Sequence, residues 1–312
     1  MNSSNVSKFF LVTVLTLISS MVSAQNLVVN GSFESPDIAQ VTNNVGYIQD
    51  QADLSIADWT ITPAGRGHGL NDATTKTPFH GGGRPVPDGN QVLFIQGADT
   101  TTLAQVIEGL EEDNHYLLIF YTAIRPGNPG MNVSVSIGDL ELMGVTSIPE
   151  NGTAPYHQYT IPFLYSSDTV GATPTLTFTT AWPAGGDATV LFDHIQIRKP
   201  ELSAEVTGPK LVAQGNNVTL STNLTETVGD TNYQWYYNGI ALDGETEATL
   251  TLLDVVIDDS GVYSVEITDA SNTVTAAFTL LVVESLPVSS SVILILLCAV
   301  LLIASVYKLR IA

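Results

Sequence analysis

An all-β fold, two antiparallel sandwiches in series followed by a C-terminal transmembrane helix, is what this sequence of 312 residues predicts. Three observations predict it. From Gln25 to Lys199 short β-rich runs alternate with Gly, Pro, Asn and Asp, and no stretch of 12 residues holds a helical period. Beyond Pro200 a second series of such runs is arranged around Trp235 and Tyr263. The chain then closes on a nearly unbroken apolar stretch, Val292 to Tyr307, followed by Lys308 and Arg310.

The composition bounds the function. With 44% apolar and 13% charged residues there is material for two globular domains, at roughly 100–200 residues each. Ten Lys and Arg against 31 Asp and Glu give a net charge of −21, which excludes nucleic acid as a partner because phosphate binding needs a basic surface. The single cysteine, Cys298, excludes an intrachain disulfide and a Cys-rich zinc site. The five histidines show no His-Glu-x-x-His or other close pairing, which argues against catalytic zinc.

Both ends read as targeting segments. Residues 1–24 carry Lys8, an apolar run from Phe9 to Val22, and small residues before Gln25, the layout of a secretory signal peptide; a retained anchor helix is the alternative. Residues 285–312 carry the second. Counted from Val288, the apolar stretch reaches the roughly 20 residues that a hydrocarbon core requires, and the trailing bases stay cytoplasmic. Setting aside Lys8, Lys308 and Arg310, residues 25–285 hold all 31 acids against seven bases, a net charge of −24 on the exported part. Such a surface repels anionic polymers and suits calcium, a hard cation with oxygen ligands.

The predicted strands of the first domain, 25–199, are Gln91–Ile95, His115–Ala123, Asn132–Ile137, Gln158–Leu164, Thr175–Thr180 and Val190–Ile197. A long loop from Pro63 to Gly89 offers Arg66, His68, Asn71, Asp72, His80 and Arg84. Arg125 opens the loop Arg125–Gly130 after the strand that holds Tyr121, and Trp182 stands in Ala181–Asp187 between Gly- and Pro-rich neighbours. A pyranose is recognised by an aromatic face and planar polar groups. Trp182, Arg125, Arg84 and Tyr121 are therefore the candidate ligand-binding residues, whereas Trp59 reads as core.

In the second domain, 200–284, Asn217–Thr222, Tyr233–Gly239, Leu250–Leu252 and Val255–Val265 read as strands. Trp235 lies about 13 residues beyond the first of these and Asp259-Ser260-Gly261-Val262-Tyr263 forms an Asp-x-Gly-x-Tyr corner.

These residues carry three resemblances. Leu27–Pro36, with Asn30-Gly31-Ser32-Phe33-Glu34, together with Trp59-Thr60-Ile61, Pro87–Gln91 and the closing Leu191–Ile197, resembles the galactose-binding-like jelly rolls of secreted bacterial and plant cell-wall proteins, relatives of carbohydrate-binding modules. That resemblance implies a glycan ligand and a structural calcium held by Glu34 and Asp193, with carbonyls around Asn30 or Gly31 and Asp88 as a third acid; a turn-capping role for each acid is the alternative. The second domain resembles bacterial immunoglobulin-like domains, with Thr222 and Val265 at the usual cysteine positions. The tail, with Leu286-Pro287 before its apolar run, resembles the C-terminal sorting signals of the PEP-CTERM and IPTL-CTERM class, which implies an exosortase; a permanent single-span anchor is the other reading. The expected protein is a non-catalytic, calcium-stabilised glycan binder on the cell envelope or outside the cell, anchored by its tail unless the tail is cut. A protein-binding adhesin or envelope scaffold, favoured by a large exposed apolar patch on the second domain, and a glycoside-processing enzyme with two acids are the alternatives.

Overall fold

The computed structural model describes residues 25–38, 47–49, 56–62, 67–73, 84–97, 100–150, 152–182 and 188–284, with 47–49 as backbone alone. The segments expected to be a signal peptide and a membrane or sorting tail, 1–24 and 285–312, as well as Arg66 and His80 of the long loop, lie outside these residues. Among the described residues no helix is long and apolar enough to cross a membrane.

The first eleven strands are β1 (Tyr47–Gln49), β2 (Thr60–Thr62), β3 (His68–Asp72), β4 (Gln91–Gln96), β5 (Thr101–Val106), β6 (His115–Ile124), β7 (Met131–Ile137), β8 (Leu140–Ile148), β9 (His157–Leu164), β10 (Thr175–Ala181) and β11 (Thr189–Arg198). They form a six-stranded sheet in the order β1-β3-β4-β11-β6-β9 and a five-stranded sheet in the order β2-β5-β10-β7-β8. Strand β7 shows the rule that builds the sandwich: Met131, Val133, Val135 and Ile137 face inward while Asn132, Ser134 and Ser136 are half exposed. Phe120, Phe178 and Phe192 meet edge to face between the two layers.

Strand β4 is buried on both faces, as the continuous run Val92-Leu93-Phe94-Ile95 demands. Leu93 and Ile95 enter the main core; Val92 and Phe94 join a second cluster with Leu191, Ala123 and Tyr156 on the outer face of the six-stranded sheet. Val86 packs onto that cluster. The segment Arg84–Asn90 is thus a strap across the outer face.

One expectation needs correction here. His68–Asp72 is not loop but strand β3, paired with β4 from His68↔Ile95 to Asp72↔Gln91. Its Gly and Asn carry little strand preference of their own; pairing with a buried neighbour and burial of Leu70 and Asn71 hold it in the sheet. Strands β5 and β8 and the four-residue helix Ser167–Val170 are further additions to the strands read from sequence.

The remaining strands are β12 (Ser203–Thr207), β13 (Leu211–Ala213), β14 (Val218–Thr225), β15 (Asn232–Tyr237), β16 (Ile240–Ala241), β17 (Thr249–Leu252), β18 (Gly261–Thr268) and β19 (Thr273–Val283). They build a second sandwich of a three-stranded sheet, β12-β14-β17, and a five-stranded sheet, β13-β19-β18-β15-β16. Trp235 is fully buried at its centre, directly across from Val265, and its indole N–H donates to the Glu247 carbonyl at 2.9 Å. The Tyr263 hydroxyl donates to the Asp259 carbonyl at 2.9 Å and fixes the turn that enters β18.

Side chains also join the two sandwiches. Arg198 pairs with Glu226, Lys199 Nζ lies 2.7 Å from Glu111, and Val228 packs on Leu117 and Ile119 of β6.

Candidate functional site

Strand β11 breaks its register between Asp193 and Gln196, with His194 in the left-handed region at φ 50°. The N-terminal turn docks into this bulge. Ile195 N–H donates to the Gly31 carbonyl at 2.9 Å, and a Cβ on Gly31 would collide with the Ile195 carbonyl, so glycine is required. The turn is held from both sides: Trp59 donates its indole N–H to the Asn30 carbonyl at 3.1 Å, and the Gln91 amide donates to the Phe33 and Pro36 carbonyls while accepting from Ile38 N–H. Trp59 is 7% exposed and takes its place in the core.

The turn so fixed aims Glu34 at the strap. Its Oε1 accepts from the Asn90 and Gln91 amides, each at 2.7 Å. Asp193 lies beneath, fully buried, and accepts from the Asp88 amide at 3.0 Å and the His194 amide at 2.7 Å. Asp88 in turn accepts from the Ser32 hydroxyl at 2.5 Å, and His194 Nδ1 stands 3.2 Å from the same carboxylate, a charge pair when the imidazole is protonated. Burial pushes the Asp193 carboxyl up to about 8; the two amide bonds oppose this and the charges of Asp88 and Glu34 add to it. Asp88 goes the other way, held below the usual carboxylate range mainly by the Ser32 hydrogen bond and, against some desolvation, by His194.

Three carboxylates therefore converge where the strap crosses β11. As a donor set they are all oxygen and carry excess negative charge, the chemistry of a hard cation. The surrounding geometry is that of amide-capped acids: every bond just described comes from the protein, and the Asn30 and Gly31 carbonyls are themselves engaged by Trp59, Phe33 and Ile195. Among the described residues no group of three His, Cys, Asp or Glu side chains is arranged to hold a metal ion. Ser32 and His194 belong to this cluster and were not singled out from sequence; their positions inside Asn30–Glu34 and next to Asp193 are the signal that was available.

The candidate ligand residues divide. Arg84 is 3% exposed: both terminal nitrogens donate to the Ile124 carbonyl at 3.2 Å, one also reaches the Gly152 carbonyl, and the guanidinium lies over the Tyr156 ring, 5.4 Å from its centroid. Desolvation lowers its pKa, partly offset by Tyr156 and Glu150. Arg84, expected among the ligand-binding residues, is instead buried, and its guanidinium ties the strap to the end of β6 and to the loop before β9. Tyr121 is half buried on the outer face, edge-on to His194 at 5.6 Å, so it borders the carboxylates and not the loop end.

Arg125 and Trp182 are brought to one end of the sandwich. Arg125 leaves β6 there, its amide bonded to Thr189 at the start of β11; Trp182 follows Ala181, whose partner Asn132 is the second residue of β7. The end of β6, which leads into 125–130, and the start of β11 are thus joined at the same end of the sandwich as the close of β10 at Ala181. Glu150, in the loop before β9, accepts from Gly127 N–H at 3.3 Å and from Gly152 N–H of its own loop at 2.8 Å, which ties that loop to 125–130. Both Arg125 and Trp182 are half exposed, and Trp182 packs against the main core.

Two clefts lie elsewhere. One of about 380 Å³ opens between β8 and β9, lined by Leu142, Ile161 and Phe163 among others; one of about 430 Å³ opens at the β2–β5 edge beside Val29, Gln105 and Val106. Neither is lined by the residues above.

No protein-family model and no curated protein matches the chain. Solved structures to which it is similar include a family 61 carbohydrate-binding module in complex with β-1,4-galactotriose (12% identity, TM-score 0.37, 56% of this chain and 99% of that one). A xylan-binding domain of family 22 from Paenibacillus barcinonensis is similar at 10% identity and a TM-score of 0.33, over 45% of this chain and 85% of that one. The M4 domain of titin is similar at 26% identity and a TM-score of 0.24, over 27% of this chain and 95% of that one.

Proposed function

We propose that the first sandwich is a non-catalytic glycan-binding domain of an exported protein, that Trp182 and Arg125 form the sugar contact, and that an immunoglobulin-like second sandwich separates this domain from a membrane-anchored or sorted tail. The observation that carries the reading is the placement of a half-exposed Trp182, packed against the core, at the same end of the sandwich as the half-exposed Arg125. An aromatic ring suits the C–H surface of a pyranose and a guanidinium fork suits ring hydroxyls. Arg84, buried at the start of the strap, acts as a positioning residue in this reading.

The absence of catalysis is part of the proposal. It is supported by the state of the acids: Asp193 is shut from solvent, and Glu34 and Asp88 are committed to loop amides and Ser32. The reading of calcium is supported by the same cluster, because the charges of Asp88 and Glu34 both act against ionisation of the buried Asp193. Bound there, calcium would neutralise that repulsion and pin the strap to the N-terminal turn. Calcium is expected to raise the melting temperature of the wild type relative to chelator, and to leave Asp193→Asn unmoved; equal melting in both conditions would remove calcium from the reading.

Binding is tested on a panel of soluble plant and bacterial polysaccharides by pulldown and calorimetry. Retention of at least one polysaccharide, lost in Trp182→Ala with the melting curve unchanged, is expected. Retention that survives Trp182→Ala moves the site, failure to bind any member removes the function, and new reducing ends in the panel would reinstate an enzyme.

A further inference from the structure

The second sandwich has a docked end and a bare end. At the docked end Glu226 and Val228 meet the first sandwich. Its strongly exposed large apolar side chains, Ile240 at 73%, Leu253 at 69%, Val256 at 52% and Ile257 at 46%, all lie at the other. Hydrogen bonds fix that placement. Val255 exchanges bonds with Gly215 and Asn216, Gln214 N–H donates to Val283 at the close of β19, and the Tyr237 hydroxyl donates to the Asp258 carbonyl at 2.7 Å, which sets the β15–β16 turn and Ile240 beside the corner. The apolar corner and the point where β19 ends therefore share one surface. Soluble proteins rarely collect apolar side chains on one exposed end without something to cover them.

The length of chain beyond Val283 identifies the cover. Only residues 284–287 lie between it and Val288, where the apolar stretch of the tail begins. Fully extended, the five steps from Val283 to Val288 reach at most about 17 Å, against a headgroup layer of roughly 5–8 Å per leaflet, so the end of β19 stays within about 10 Å of the bilayer surface. From this, and resting on the reading of the tail as a membrane span, we infer that Leu253, Val256, Ile257 and Ile240 form a membrane-contact surface that seats the distal end of the second sandwich on the outer leaflet. Asp254 and Asp258 stand exposed among them, while the Asp259 carboxylate accepts from Val256 N–H at 2.8 Å. With acids interleaved and no base in the corner segment 253–260, the surface matches zwitterionic headgroups and is repelled by anionic ones. Contact at this end would hold the first sandwich upright at a fixed height, since the other end is joined to it by Arg198–Glu226.

The test uses the full chain in which Cys298→Ser removes the native thiol and a single cysteine is placed at Val256→Cys, or as a control at Val145→Cys on β8, where the side chain is 75% exposed. Each is labelled with a small polarity-sensitive probe and reconstituted into phosphatidylcholine vesicles containing brominated lipid. The expected result is loss of fluorescence at position 256 and none at 145, because interfacial apolar side chains sit roughly 5–10 Å into the headgroup and acyl boundary. Flotation of the vesicles reads the tail separately: a chain that does not float overturns both the span and this inference, whereas a chain that floats with position 256 unquenched overturns the inference alone. Position 256 shielded from aqueous iodide yet untouched by brominated lipid assigns the patch to a second copy or another protein, and also overturns it. With the probe at Leu253→Cys, the pair Val256→Asp and Ile257→Asp is expected to abolish the quenching while flotation and the circular dichroism spectrum stay as in the parent; quenching that persists counts against the proposal.

Discussion

Arg198, the last residue of β11, grips Glu226 of the second sandwich with both terminal nitrogens, Nη1 lying 2.8 Å from Oε2 while Nη2 bonds Oε1. Glu226 holds this position with φ 55° and also accepts from the Glu201 amide at 2.8 Å, so one carboxylate gathers the end of the first sandwich and the start of the linker. The Arg198 bond holds the Glu226 carboxyl below its usual value, against a smaller effect of burial. A depressed carboxyl stabilises above its unfolded pKa, about 4.3, and that contribution fades as pH falls through the lower folded value. Glu226→Gln should therefore lower the melting temperature by a constant amount from pH 8 to 5, the loss at neutral pH being about 1–3 kcal/mol for charged hydrogen bonds that are partly shielded. Below about pH 4 the two curves should converge. A gap unchanged down to pH 3 would show that the carboxylate charge plays no part.

Arg84 gives a second prediction. Replacing it with Met keeps most of the stem volume but leaves the Ile124 and Gly152 carbonyls without the guanidinium, at a cost of about 2–4 kcal/mol to the first sandwich. Arg84→Lys should recover only part of this, because an ammonium cannot fork between two carbonyls and stack on Tyr156. Urea denaturation followed by Trp fluorescence reads both; equal stability of Lys and wild type would disprove the fork.

The second sandwich has no disulfide across its sheets, so its core side chains carry the stability. Trp235→Ala removes its largest buried side chain and should cost about 3–5 kcal/mol, enough to unfold it or nearly so. Tyr263→Phe loses only the bond to Asp259 and should cost about 1 kcal/mol. The ratio of the two, measured on the same unfolding transition, is the check; a Trp235→Ala melt identical to wild type would place the core elsewhere.

Strands with a clean period, such as β7 and β10, and the doubly buried β4 were legible because one residue in two, or every residue, meets the core. The Trp235 core and the Tyr263 corner were legible for the same reason: each is a large side chain whose place is set by its neighbours in sequence. Strand β3 was not, since His68-Gly69-Leu70-Asn71-Asp72 has no apolar alternation and is held by β4 on one side and β1 on the other. Arg84 misled for a related reason. A base in a Gly- and Pro-rich stretch reads as solvent-facing, and nothing local announces that the stretch folds back over Phe94 and Leu191 as a strap. The convergence of Glu34, Asp88 and Asp193 spans 159 positions of sequence, and only the docking of the N-terminal turn into the β11 bulge makes it one site.

That docking makes Gly89 the most sensitive position of the strap. It sits at φ 59°, in the left-handed region, and a Cβ there would collide with the Glu34 carboxylate, which is itself anchored on the Asn90 and Gln91 amides. Relief requires either Glu34 to release those amides or the strap to lift from β11, and lifting would also break the bond from Asp88 N–H to buried Asp193. Gly89→Ala should thus cost about 1–3 kcal/mol, well beyond the fraction of a kcal/mol that a change of Gly to Ala gains by stiffening the unfolded chain. Hydrogen exchange separates this from a general loss of stability: the amides of Asp88, Asn90 and Gln91 should lose protection while those of β7 and β10 keep theirs. If Gly89→Ala is as stable as wild type with the strap amides still protected, Glu34 does not hold the strap, and the carboxylate cluster would have to be rebuilt around Asp193 and Asp88 alone.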